Sequence, residues 1–225
     1  MRVSCLVLLA GFTSLFAPVR SGADDAEDKA VKAVEELKGK IERSTSQPGK
    51  PVYSVSFSGT KVTDDDLRHV AAFKELGSFA AGSTGLTGAG LKHVAELPKV
   101  VNLYMNFSKV TDEGLKHISG MKSLRTVELF QTKVTDKGVK ELAALKDLSR
   151  LNLGKTAVTD ASLKPIGEIT GLRSLNLTTT AVTDAGLKDL VGLKNLTHLY
   201  LSGSKVTEAG VKELRKALPE CEIQR

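Results

Sequence analysis

A hydrophobic signature returns seven times in this chain at a fixed spacing of 24 residues. Its clearest copies read VTDEGLKHI, VTDKGVKEL and VTDAGLKDL, and the seven are anchored at Val62, Leu86, Val110, Val134, Val158, Val182 and Val206. A constant period over that many copies predicts a solenoid, in which each unit buries its apolar face against the next. A solenoid is a scaffold whose partner is set by its surface, so the repeat constrains architecture far more than function.

Counted forward from each anchor, position 1 is Thr in all seven copies, and position 2 is Asp in five, with Gly88 and Glu208 as the exceptions. Position 4 is Gly in five copies, and positions 5, 8 and 11 are mainly Leu, Val or Ile, as in Leu115, Ile118 and Met121. That is helical spacing. Thr is a good N-cap, and an acid just after it meets the positive end of the helix dipole, so each copy is expected to start a short helix at its Thr. Leucines follow at positions 14, 17 and 19, as in Leu148, Leu151 and Leu153. Their alternation predicts a short strand with one buried face. A turn comes next with Thr or Ser at position 22, as in Thr84, Ser108, Thr132, Thr156, Thr180 and Ser204. One strand and one helix per copy stack into an α/β solenoid. Helices are wider than strands, so the parallel β-sheet takes the concave face and the short α-helices the convex face.

The pattern LxxLxLxxTxVTDxGL resembles the leucine-rich repeat family, in its ribonuclease-inhibitor-like and F-box-associated branch. It looks most like the exported repeat proteins of planctomycete-type bacteria, and the resemblance covers roughly residues 50 to 225. It implies a right-handed leucine-rich-repeat solenoid used for binding. Where the family carries a ladder Asn, this chain has Thr or Ser at position 22. A hydroxyl can still bond turn backbone, so the ladder is expected to survive in altered form.

Residues 1–23 read as a signal peptide: Arg2 precedes the apolar run Val3 to Ala17, and Ser21-Gly22-Ala23 offers small residues before a cleavage at Asp24. The run is short for a membrane span, although an uncleaved anchor is the alternative. The protein is therefore expected to be exported, to a periplasmic, cell-envelope or extracellular place. Maturation would remove Cys5, Arg2 and Arg20, leaving Cys221 as the one cysteine and lowering the formal charge from +6 to +4. No internal disulfide could form, so the apolar core must carry stability. Residues 24–51 are expected to form an N-terminal helical cap and loop, with a helix over Ala26 to Lys38 and Val31, Val34 and Leu37 on its inner face. The solenoid is assigned to residues 52–217. Residues 218–225 resemble a closing strand, with a register slip of about one residue and Cys221 packed beneath it.

No catalytic constellation is visible: the chain lacks Gly-x-Ser-x-Gly, a phosphate loop, a dinucleotide fingerprint, His-Glu-x-x-His and Cys-x-x-Cys. It is expected to be non-enzymatic, without cofactor or metal. His69, His93 and His117 form a column at position 7, but helices about 10 Å apart cannot bring neighbouring imidazoles to one ion with bonds near 2 Å. Basic residues fill position 6 (Arg68, Lys92, Lys116, Lys140, Lys164, Lys188, Lys212) and part of position 12 (Lys74, Lys122, Lys146, Lys194). They read either as solubilising residues of the repeat or as contacts to an anionic glycan or lipid surface. Sparse aromatics and a modest charge excess give no reason to expect nucleic acid.

The positions the repeat does not dictate are 16, 18 and 20, whose side chains leave the strand on its concave side. The first two strands offer only Ser, Ala and Gly there. The later ones present Asn102, Tyr104, Asn106, Glu128, Phe130, Arg150 and Asn152, then His198 and Tyr200. Exposed aromatics beside an Arg resemble a binding hot spot for a protein or peptide. The alternative is ordinary surface scatter, with Glu128 and Arg150 simply paired across strands.

Overall fold

The computed structural model describes residues 22–225. The expected leader lies outside the described residues, except for Gly22 and Ala23 at the start of the first helix. That helix, α1, spans Gly22–Glu36, starting and ending earlier than the sequence suggests. Lys38 takes a left-handed backbone (φ 60°), and the N–H of Gly39 closes on the Val34 carbonyl at 2.8 Å, which stops the helix there. Ala30 and Val34 are buried, while Val31 and Leu37 pack partly against the core.

Strand β1 (Lys40–Arg43) runs antiparallel to β2 (Val52–Ser56). From β2 onward the chain repeats strand and helix. A 3-10 helix over Asp65–Ala72 leads to β3 (Ser78–Ala80), then α2 (Leu91–Ala95), β4 (Asn102–Tyr104) and α3 (Asp112–Ile118). There follow β5 (Thr126–Glu128), α4 (Asp136–Leu142), β6 (Arg150–Asn152), α5 (Leu163–Gly167) and β7 (Ser174–Asn176). The last turns are α6 (Asp184–Leu187), β8 (His198–Tyr200), α7 (Glu208–Ala217) and β9 (Glu222–Gln224). The sheet has nine strands in chain order, and every pair from β2 to β9 is parallel. Register advances by one whole repeat per strand, so Leu103, Val127, Leu151, Leu175 and Leu199 form one buried row. That row, the anchor residues and the inner helix faces make a single continuous core.

Two expectations need correction. Helices do begin at the N-cap Thr in the last five copies (Thr111, Thr135, Thr159, Thr183 and Thr207), but not in the first two. In the first copy Thr63 donates both its N–H and its hydroxyl to Asp66, so its oxygen is not aimed at the helix, which begins at Asp65 as a 3-10 turn. In the second, Gly88 holds φ +95° and the helix waits until Leu91. The closing strand, in turn, has no slip: His198 pairs with Glu222 and Leu199 with Ile223. The irregularity lies before it. Leu218 and Cys221 each sit one place later than their counterparts Leu193 and Leu196, after the long α7, and the register is restored by Ile223. Cys221 is buried, and burial pushes its thiol pKa up.

The altered ladder takes an unexpected form. The hydroxyls of Thr84, Ser108, Thr132, Thr156 and Thr180 are buried and donate to the carbonyl three residues back, within their own turn. The repeated side-chain bond from one copy to the next comes instead from the position-2 aspartates. Asp112 accepts from both the N–H and the hydroxyl of Thr135, each at 2.7 Å. Asp136 does the same for Thr159, Asp160 for Thr183 and Asp184 for Thr207. Asp64 joins Thr87 and also accepts from Gly88 and Gly90 N–H. The glycines at position 4 make room for this. A Cβ on Gly138 would lie 2.9 Å from Asp112 Cα, and one on Gly186 would meet Asp160. In the one later copy without that glycine, Ser162 donates its own hydroxyl to Asp136.

Candidate functional site

Strand register fixes the site. Parallel pairing aligns position 16 of each copy with position 16 of the next, so Asn102, Thr126, Arg150, Ser174 and His198 form one row. Tyr104, Glu128, Asn152, Asn176 and Tyr200 form a second. The position-20 residues Asn106 and Phe130 lie just past the strand ends. Neighbouring strands are about 4.8 Å apart, so side chains in a row touch.

The polar centre is already satisfied internally. Glu128 accepts from Asn152 Nδ2 at 2.7 Å and from Asn106 Nδ2 at 3.5 Å. Asn106 Oδ1 accepts from the Phe130 N–H at 2.8 Å, and Asn152 Oδ1 from the Gly154 N–H at 3.1 Å. Two carboxamides therefore hold Glu128, and Arg150 does not pair with it. Among the described residues the Arg150 guanidinium has no ion pair or hydrogen bond, although Arg43, Arg68, Arg125 and Arg225 each have a carboxylate partner.

Two groups flank this centre. On one side the rings of Phe107 and Phe130 meet edge to face at 5.3 Å, with Lys155 Nζ 5.5 Å from the Phe130 centroid. Phe130 occupies space left by Gly154, where a Cβ would come within 2.8 Å of the ring. Phe107 is 52% exposed and Tyr104 beside it 37%. On the other side a hollow of about 310 Å³ is lined by Arg150, Asn152, Ser174, Asn176, His198 and Tyr200, with Glu128 itself also lining it. His198 lies nearly parallel to Tyr200 at 6.4 Å, shares a 2.9 Å hydrogen bond with Thr197, and stands 3.9 Å from Glu222. Asn102 stands apart from both groups, and its side chain makes no hydrogen bond among the described residues.

Phe107 and Lys155 escaped the sequence reading because they sit at position 21. The backbone there is left-handed in copy after copy: φ is 55° at Ser83, 61° at Phe107, 54° at Gln131, 53° at Lys155 and 53° at Thr179. Gly59 and Gly203 occupy the same place. A bulky aromatic in a position suited to Gly is the signal that was available.

The convex face is differently employed. The position-12 lysines close the helix ends: Lys74 donates to the Ala71 carbonyl, Lys122 to those of Ser119 and Ala144, Lys146 to Glu168 and Lys194 to Ala217. The position-6 row is exposed throughout, with Arg68 bound to Asp65 and Lys116 to Glu113 on their own helices. No group of residues able to hold a metal ion is present among the described residues, and His69, His93 and His117 stay separate.

Residues 120–143 match the family model described as Leucine Rich repeat. Among solved structures, internalin C2 of Listeria monocytogenes is similar at a TM-score of 0.54 and 18% identity, over 77% of this chain and 81% of that one. A leucine-rich-repeat protein of Leptospira interrogans is similar at 0.52 and 21% identity, over 70% of this chain and 45% of that one. No curated protein matches the sequence. The matched segment is one full period of the repeat, and its register and core recur along the whole stack. The chain folds as a leucine-rich-repeat solenoid.

Proposed function

We propose that this protein is an exported, non-enzymatic binding protein that holds a protein or peptide partner on its concave sheet between Tyr104 and Tyr200. The observation that carries this reading is the uneven surface of an otherwise regular sheet. After the terminal β1, strands β2 and β3 show only Ser, Ala and Gly in the concave rows, while exposed Tyr104 and Phe107 and an unpartnered Arg150 gather in the middle. Concave sheets are the usual working face of such scaffolds, and buried aromatics with Arg dominate binding energies. Export rests on the leader-like composition of residues 1–23.

The test replaces Tyr104, Phe130, Arg150 and Tyr200 together by Ala. Partners captured by the wild-type protein from source-cell envelope extract are identified, and their affinity for both forms is measured. Loss of binding by at least about tenfold is expected, since hot-spot residues cost 2 kcal/mol or more each. Unchanged affinity would remove the site. Equal capture by both forms, abolished by salt, would move binding to the position-6 lysines and an anionic glycan or lipid surface. Amino-terminal sequencing of the secreted chain addresses export: a start at Asp24 is expected, and an intact Met1 in cytoplasm would defeat it.

A further inference from the structure

We infer that the concave face takes an extended acidic segment of a protein partner. One carboxylate side chain seats against Arg150, and an apolar side chain about four residues away enters the notch formed by Phe107 and Phe130. This deepens the concave-face reading and rests on it.

Charge complementarity is the first argument. Arg150 carries five N–H donors in a fork suited to a carboxylate, and none is used. The nearest acid on the face, Glu128, is held by Asn152 and Asn106. One residue along the neighbouring strand, Arg173 is equally without a side-chain partner among the described residues. Its N–H bonds Ser149, the residue before Arg150, at 2.8 Å. The other arginines among the described residues are engaged: four by carboxylates, and Arg215 by the Ile223 carbonyl. Among the described residues Arg150 is thus the one unneutralised guanidinium lining the hollow, Arg173 lying outside the concave rows at position 15. An incoming carboxylate would meet that guanidinium with two parallel N–H donors.

The shape of the aromatic group argues for a peptide. Phe107 and Phe130 meet at 66° between planes, which leaves a notch for a side chain and no flat platform for a sugar ring. Asn176 spends its Oδ1 on the Thr178 N–H and keeps its amide donors, which suit a peptide carbonyl. Spacing follows from the lattice of the sheet. Arg150 and Phe130 are four residues apart along the strand direction and one strand apart across it. That is about 14 Å, or about four residues of extended chain.

The test is selection of a phage-displayed random dodecapeptide library on the purified protein, then affinity measurement of synthetic peptides from the enriched pool. The variants are Arg150→Glu, Phe107→Ser and, as a charge control on the convex face, Arg68→Glu. All three sites are exposed, and circular dichroism confirms that each variant is folded. The expected result is enrichment of Asp or Glu three to five positions from Phe, Leu or Trp. Arg150→Glu should weaken binding by about tenfold or more, Phe107→Ser by less, and Arg68→Glu not at all. Peptides without acidic bias that bind Arg150→Glu like wild type yet fail on Phe107→Ser would overturn the acidic segment and leave the concave site standing. An empty selection, or peptides indifferent to both concave variants, would overturn both readings. Heparin binding that depends on Arg150, with no peptide enriched, would replace the peptide by an anionic glycan.

Discussion

Single residues in this fold are constrained by their counterparts one period away. Gly138 lies inside α4, where exchanging Gly for Ala ordinarily stabilises by about 1 kcal/mol. Here the new Cβ would press on Asp112 Cα at 2.9 Å, so Gly138→Ala should destabilise by about 1–3 kcal/mol. Gly192→Ala, where nothing lies within 4 Å, should be neutral or stabilising by about 0.5 kcal/mol. Urea unfolding of the two variants checks the pair, and equal effects would mean that the glycine at position 4 is there for another reason. The aspartates carry a pH signature. Burial raises the carboxyl pKa of Asp136, but the hydroxyls of Ser162 and Thr159 and the Thr159 N–H outweigh it and hold it below the usual range. Asp64 is lowered the same way by Gly90, Thr87 and Gly88 N–H groups, and Asp184 by Thr207. A carboxyl depressed in the folded state stabilises fully above its unfolded value, and that stability is lost as pH falls through the folded value. The urea midpoint should therefore drop from about pH 4 downward. In Asp136→Asn the midpoint should be lower at neutral pH and its acid drop shallower. An acid drop as steep as the wild type's would exclude Asp136 from it.

At the scale of elements, strand and helix placement was legible because each is specified by its own local signal: leucine alternation for the strands and Thr before an acid for the helices. The concave rows were legible for the same reason, since a period of two fixes which side chains leave the sheet. What the copies do to one another was not. Nothing in the sequence says that the acid at position 2 reaches forward to the next Thr, or that the glycine at position 4 vacates space for it. Arg150 and Glu128 looked like partners by spacing, and only the packing shows that Asn152 takes Glu128 instead. Gly88 makes the difference testable. By repeat logic Gly88→Asp restores the consensus and should stabilise. By structure, φ is +95° and a Cβ would lie 2.8 Å from Gly114 Cα. The substitution should lower stability by at least about 1 kcal/mol. A raised melting temperature would show that the backbone can turn to form the missing bond.

Across the whole molecule the six junctions between copies are not equal. Five carry an aspartate–threonine bond, and the junction between the copies anchored at Leu86 and Val110 carries none. There, on the helix side, the backbone bond from Thr111 to Thr87 and the contact of Gly88 with Gly114 stand in, while Asn106 bridges to Glu128 and Phe130 on the sheet side. Cooperativity in a stack is a sum of such nearest-neighbour terms, so the helix side of this junction is the expected weak seam. Native-state hydrogen exchange should show residues 22–88 opening at lower free energy than the amides of β6 and β7. Uniform protection from β3 to β8 would refute the seam. The equal junctions have a further consequence for how such a chain can change length. Between Val110 and Val206 every copy offers the next the same two oxygens and receives the same two bonds from its Thr, with Ser162 adding a third at one junction. A 24-residue segment duplicated or deleted there meets a fitting neighbour on both sides and moves the rest of the sheet by one strand. A segment inserted between Phe130 and Arg150 would leave the aromatic notch with the N-terminal cap and carry Arg150 one strand away, so their separation could be reset in steps of one strand by recombination alone, with no point substitution in the core.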